Sequence, residues 1–192
     1  MAELTGKTIA VLAAQGVERV ELEEPRAALQ AAGATTHLIS VPDGVEDGAI
    51  PSMDGDIHPA STHPVDHLVA DVSAADYDGL LLPGGVVNPD TLRQDEDALA
   101  FVKAFFDAGK PVAAICHAPW LLIEAGVVEG RTMTAFESIR TDLKNAGANV
   151  VNEAVVVDQG LVTSRCPDDI PAFNAKMIEE FAEGRHEGQA AA

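Results

Sequence analysis

Cysteine offers this chain its most versatile chemistry, and there are two, Cys116 and Cys166. Cys116 stands in Ala114-Ile115-Cys116-His117-Ala118, at a strand-to-helix junction. Small residues two before and two after it meet the steric demand of a nucleophile elbow, a turn too sharp for large side chains. Such a turn lifts the nucleophile out of the sheet and aims it at the start of the next helix. A helix start favours the thiolate, and its unpaired N–H groups can stabilise an oxyanion. The backbone amides of His117 and Gly85 are the candidate donors. His117 is a candidate proton acceptor, although neighbouring residues at a helix start point in different directions, so spacing alone does not put its ring on the thiol. The plainer alternative for Cys116 is a small buried hydrophobe.

A carboxylate is the next candidate. Glu18 follows the first strand in Gln15-Gly16-Val17-Glu18 and opens the acidic run Glu18-Arg19-Val20-Glu21-Leu22-Glu23-Glu24. An acidic run at a helix start is favoured by the helix dipole and needs no further role. If Glu18 points at the thiol, an ionised carboxylate would raise the thiol pKa, whereas a protonated one can donate a hydrogen bond to the thiolate. The useful form is a Glu whose own pKa is raised. Other groups carry less. His58, His63 and His67 with Asp54 and Asp56 fit no metal cage and read as a solvated loop. No metal and no cofactor is expected. Gly84-Gly85 lacks the Lys-Ser/Thr of a phosphate loop. Cys166 reads as structural, with Asp168 a plausible helix cap. Trp120 either lines the pocket or packs.

These residues need a frame that brings strand ends together. Short apolar runs at 8–14, 35–41, 77–82, 111–115, 148–157 and 161–164 read as strands. They alternate with helical patterns at 20–32, 90–108, 116–125, 137–146 and 168–183. Pro25 belongs in the first turn of its helix or kinks it. Residues 43–64 suggest a hairpin or long excursion, and 184–192 a frayed tail. Alternation of this kind means βαβ units, a mainly parallel sheet and an α/β fold in one domain over residues 1–192. In such sheets ligands bind beyond the carboxyl ends of the strands, where strand order reverses. Glu18, Pro83-Gly84-Gly85 and Cys116-His117 all follow strand ends, so they can meet at one edge.

Composition narrows the partners. The 192 residues are 47% apolar and 22% charged, an ordinary globular balance. Twelve Lys and Arg face 31 Asp and Glu, a formal charge of −19. So few cations disfavour binding to nucleic acid or to anionic membranes. No apolar run reaches the ~20 residues of a membrane span, and Met1-Ala2-Glu3-Leu4 lacks a signal-peptide pattern. A cytoplasmic location and free thiols are expected.

Four segments together resemble the signature of the ThiJ/PfpI superfamily, most closely its PfpI branch. They are Leu81-Leu82-Pro83-Gly84-Gly85, Gly109 through Pro119, Ala125-Gly126-Val127-Val128-Glu129-Gly130-Arg131 and Leu161 through Asp169. The resemblance spans residues 7–183. It implies a flavodoxin-like three-layer sandwich of the class I glutamine amidotransferase type, usually a homodimer or higher oligomer. It also implies a nucleophilic Cys116, the adjacent His117, and Glu18 in contact with the thiol. In PfpI-like members an acidic residue of a neighbouring subunit completes the triad, and Asp90 matches its position. The family proteases carry Glu there. Ala118 and Trp120 replace a more usual Gly and a polar residue, and both narrow the pocket mouth, where Gly84 and Trp120 are expected. The activities implied are peptidase, glutathione-independent glyoxalase, deglycase, redox sensor and chaperone. A small pocket with one thiol, an acid and a base suits methylglyoxal-like carbonyls or their protein adducts. An intracellular cysteine peptidase is the alternative enzyme, and a thiol that senses peroxide is the alternative outside enzymology.

Overall fold

Seven strands form one sheet in the order β11-β12-β8-β7-β1-β3-β6. This is a computed structural model, and it describes residues 3–189. The strands are β1 (Thr8–Leu12), β3 (Thr35–Ser40), β6 (His67–Leu68), β7 (Gly79–Leu82), β8 (Val112–Ile115), β11 (Val155–Asp158) and β12 (Leu161–Ser164). All pairings are parallel except β11 on β12. β1, β7 and β8 are buried almost throughout, as strands covered on both faces must be. β1 lies between β3 and β7, so strand order reverses there, and the ends of β1, β7 and β8 adjoin.

Helices cover both faces. α1 (Arg19–Ala31) and α6 (Ile170–Glu183) pack on one, burying Leu22, Leu29, Phe173, Met177 and Phe181. The other face carries α2 (Val87–Leu92), α3 (Glu96–Asp107), α4 (Pro119–Glu124) and α5 (Arg140–Asn145), with Phe105, Phe106, Leu121 and Leu122 in its core. The mainly parallel α/β fold expected from alternation is therefore observed, in the three-layer sandwich that the resemblance implied. Two minor sheets complete it: β9 (Thr132–Met133) with β10 (Asn149–Val150), and β2 (Val17–Glu18) with the hairpin β4 (Ala49–Asp54) and β5 (His58–Pro64).

Several local expectations are corrected. The helix over 90–108 is two helices, because Asp95 caps α3 by accepting the Ala98 N–H at 2.9 Å. Pro25 lies in the interior of α1, where its missing N–H leaves the Glu21 carbonyl without a helical partner. The helix placed at 116–125 starts only at Pro119, after a turn. Asp168 caps nothing; Asp169 stands at the start of α6 and binds Arg165 at 2.7 Å. The tail is not frayed over 184–189: the His186 N–H donates to the Gly109 carbonyl at 2.8 Å, and Gln189 is buried. Residues 190–192 of the expected tail, and Met1 and Ala2 of the segment read as lacking a signal-peptide pattern, lie outside the described residues.

Candidate active site

The turn after β8 carries Cys116 at φ 64°, a left-handed backbone that side-chain-bearing residues rarely adopt. Its N–H donates to the Ser164 carbonyl at 3.1 Å, and its carbonyl accepts the Phe136 N–H at 3.0 Å. These bonds hold the strained residue in place. Sγ lies 3.2 Å from Nδ1 of His117. Neighbours in sequence thus do meet, which spacing alone left open. The imidazole stacks on Phe136 at 4.6 Å between ring centres, and its Nε2 lies 3.0 Å from the Ser138 hydroxyl. Burial lowers the His117 pKa, and the nearby charge of Asp56 opposes that.

The carboxyl beside the thiol belongs to Glu21, not Glu18. Glu21 is fully buried in the first turn of α1 and lies within hydrogen-bonding reach of the Cys116 thiol. Its Oε2 accepts the Gly84 N–H at 3.0 Å, while Oε1 has no hydrogen-bond partner among the described residues. Burial above all pushes its pKa up to about 8, so Glu21 is protonated at neutral pH. The raised acid sought near the thiol is therefore present one helical turn further on. Glu18 is buried too, but its carboxylate accepts the Asp56 N–H at 3.1 Å. It sits in β2, where its backbone is tied to the Gly84 carbonyl at 3.3 Å, and this geometry turns the side chain toward the hairpin.

Gly84 and Gly85 are required by close approach. A Cβ at Gly84 would collide with the Glu21 carboxyl, with Cβ of Cys116 at 2.6 Å and with the Ile115 carbonyl at 2.8 Å. Gly85, at φ 86°, directs its N–H to the thiol, and that bond favours the thiolate. It does not prevail: burial first, then the negative charge available at Glu21, pushes the Cys116 pKa up. Burial of Cys116, which is 4% exposed, outweighs the lowering expected from a helix start.

Asn88 locks the edge together, a role the sequence did not suggest. Its Oδ1 accepts the Ala14 N–H at 2.7 Å, and its Nδ2 donates to the Pro83 and Gly84 carbonyls at 2.8 and 2.9 Å. Trp120 packs beside His117 at 5.4 Å and donates to Asp142 at 2.8 Å. Asp90 makes no contact with Cys116 or His117 in its own chain; Arg93 holds its carboxylate at 2.6 Å. Both cysteines are free. Among the described residues, the group able to hold a metal ion is Glu180, Glu183 and His186, at the opposite edge of the sheet. There Glu180 and His186 already pair at 3.2 Å. No helix among the described residues is long and apolar enough to cross a membrane.

The family model for the DJ-1/PfpI family matches residues 7–180, a span that holds every residue of this cluster. The chain belongs to the DJ-1/PfpI family. Among curated relatives it is 44% identical over 174 residues to General stress protein 18 of Bacillus subtilis, covering 90% of this chain and 96% of that protein. It is 41% identical over 172 residues to the Bacillus subtilis protein named "Putative cysteine protease YraA", covering 90% and 96%. Among solved structures it resembles a two-domain protein of Anabaena variabilis with DJ-1/ThiJ/PfpI-like and ferritin-like domains, at TM-score 0.82 and 31% identity. That match covers 90% of this chain and 47% of the two-domain protein. One of these relatives thus carries a stress-response name and another a cysteine-protease name.

Proposed function

We propose that the protein is a stress-protective, cysteine-dependent hydrolase or lyase that acts on methylglyoxal-like carbonyls or their protein adducts. The observation that carries this reading is a thiol only 4% exposed, set between His117 and the buried Glu21 carboxyl, whose pKa burial pushes up. A buried thiol admits a small dicarbonyl more readily than an extended peptide. As sulfur attacks the aldehyde, the S–H proton passes to Nδ1 of His117 and an S–C bond forms. The carbonyl electron pair moves to oxygen, where the amides of Gly85 and His117 would receive it. His117 returns its proton to the oxyanion and then takes the former aldehyde hydrogen as a proton while Glu21 donates to the ketone oxygen; His117 delivers that proton to the ketone carbon as the hydroxyl beside sulfur returns one to Glu21, which converts the hemithioacetal to a thioester. Water then breaks the S–C bond and releases a hydroxy acid, so the dicarbonyl and one water account for every atom. Neither metal nor cofactor takes part in this scheme.

The intracellular peptidase reading has the name of a relative behind it. It requires a wider cleft, built in a homodimer or higher oligomer where Asp90 of one copy would complete the triad of another. Turnover of methylglyoxal, set against casein degradation with Cys116→Ser as control, decides between them. Dicarbonyl loss that stops in the variant supports the first reading, and casein cleavage without dicarbonyl turnover supports the second.

A further inference from the structure

The hairpin β4–β5 reaches the carboxyl edge of the main sheet, and its turn Asp54-Gly55-Asp56 is fastened there at three points. Nε of Arg19 donates to Asp54 at 2.8 Å. The Asp56 N–H donates to Glu18 at 3.1 Å, and Oδ1 of Asp56 accepts the Val86 N–H at 2.8 Å. Asp56 makes these contacts at φ 66°, a left-handed backbone that costs a side-chain-bearing residue about 1 kcal/mol. Val86 follows the glycine whose N–H reaches the thiol. Holding one amide in place therefore fixes the other.

We propose that Asp56 is a positioning residue of the Cys116 site. It pins the Gly84–Val86 turn against the thiol by accepting the Val86 N–H, and it adds a negative charge near Cys116 from the same chain. This rests on the reading of Cys116 as the nucleophile. The sequence set Asp56 aside in a solvated loop and sought an acid at Asp90 of a neighbouring subunit; the folded hairpin brings Asp56 up to the Gly84–Val86 turn within the same chain.

The surroundings fit the role. The charge of Asp56 favours protonated His117 and opposes ionisation of both Cys116 and Glu21. The remaining charged groups against the turn are Glu18 from β2 and the Arg19–Asp54 pair. Burial pushes the thiol pKa up and the imidazole pKa down, so the proton stays on Sγ until His117 takes it during attack. The S–H bond then breaks as the S–C bond forms, and the carbonyl electron pair ends on oxygen.

Two substitutions separate position from charge. Asp56→Asn keeps an acceptor for Val86 and removes the charge; Asp56→Ala removes both. Iodoacetamide alkylation of Cys116, in a Cys166→Ser background, is followed against pH. The Asn variant is expected to react with its midpoint about half a pH unit lower or more. Its methylglyoxal kcat is expected to fall about tenfold, and that of the Ala variant about a hundredfold, with KM nearly unchanged. An unshifted alkylation profile in the Asn variant overturns the proposal, as does an Ala variant with native kcat. Should the Ala variant fail to fold, the Asn profile alone decides. Alkylation needs no substrate, so a native protein inactive on methylglyoxal defeats the functional reading and leaves this test standing.

Discussion

The two edges of the sheet bury Lys110 and Glu21 under opposite terms. At the amino edge, Lys110 is buried with its ammonium donating to the carbonyls of Ala74, Ala75 and Tyr77 at 2.7, 3.3 and 2.5 Å. Gln189 closes over it, donating from Nε2 to the Lys110 carbonyl at 2.9 Å while its Oε1 has no partner among the described residues, and Arg131 in turn donates to the Gln189 carbonyl at 2.6 Å. At the carboxyl edge, Glu21 has one oxygen bonded and one orphaned, and Cys116 is held at a strained φ. A buried charge with a full shell of acceptors stabilises the fold; a half-satisfied acid is retained at a cost and stays ready to exchange a proton. The difference sets a fully bonded cation at one edge against a half-bonded acid at the other.

The sharpest break of this contrast is Cys116→Ser. Turnover is expected to fall on the order of 10³-fold or more, with thermal unfolding little changed. Next is Lys110→Ala, which strands three carbonyls. It is expected to cost about 2–4 kcal/mol, seen as a lower denaturant midpoint, while the pH profile of Cys116 alkylation stays as in the native protein.

Glu21→Gln sharpens the other half. In the folded chain the Glu21 pKa rises from 4.5 to about 8, so the native state binds the extra proton between those pH values. At about 1.4 kcal/mol per pKa unit, native stability is expected to fall by up to about 5 kcal/mol as pH rises through that window. The Gln variant loses this slope and is the more stable protein at pH 8. Urea unfolding at pH 5 and pH 8 measures it, and an equal slope in both proteins would refute the assignment. The smallest effect belongs to Asp90→Asn. Its bond to Arg93 is exposed, and losing it is expected to cost under about 1 kcal/mol in the same unfolding assay.

Much of the site was legible because it follows from backbone sterics. Small residues around Cys116, and a Gly pair after a buried strand, are local signals of a tight turn, and strand alternation brought them to one edge. The acid was missed by three residues for a physical reason. Proximity to the strand end favoured Glu18, whereas the period of the helix favours Glu21. Glu21, Pro25 and Leu29 form an i, i+4, i+8 stripe, all buried, while Glu23 and Glu24 on the outer faces are exposed. An acid on the apolar stripe of an otherwise acidic helix was the available signal. Ser138, Asn88 and Asp56 left no such trace, because each meets the site only through tertiary folding. The break between α2 and α3 hid behind an apolar pattern that runs across both.

The buried Gln189 also bears on how the molecule can be handled. The chain reaches the face of the protein remote from Cys116, so a tether or fluorophore carried beyond residue 189 would leave the thiol unobstructed. It would instead pull on the strap that covers Lys110. Load applied there would report on the mechanical strength of the amino edge, while the chemistry at the far side served as an independent gauge that the rest of the fold remained intact.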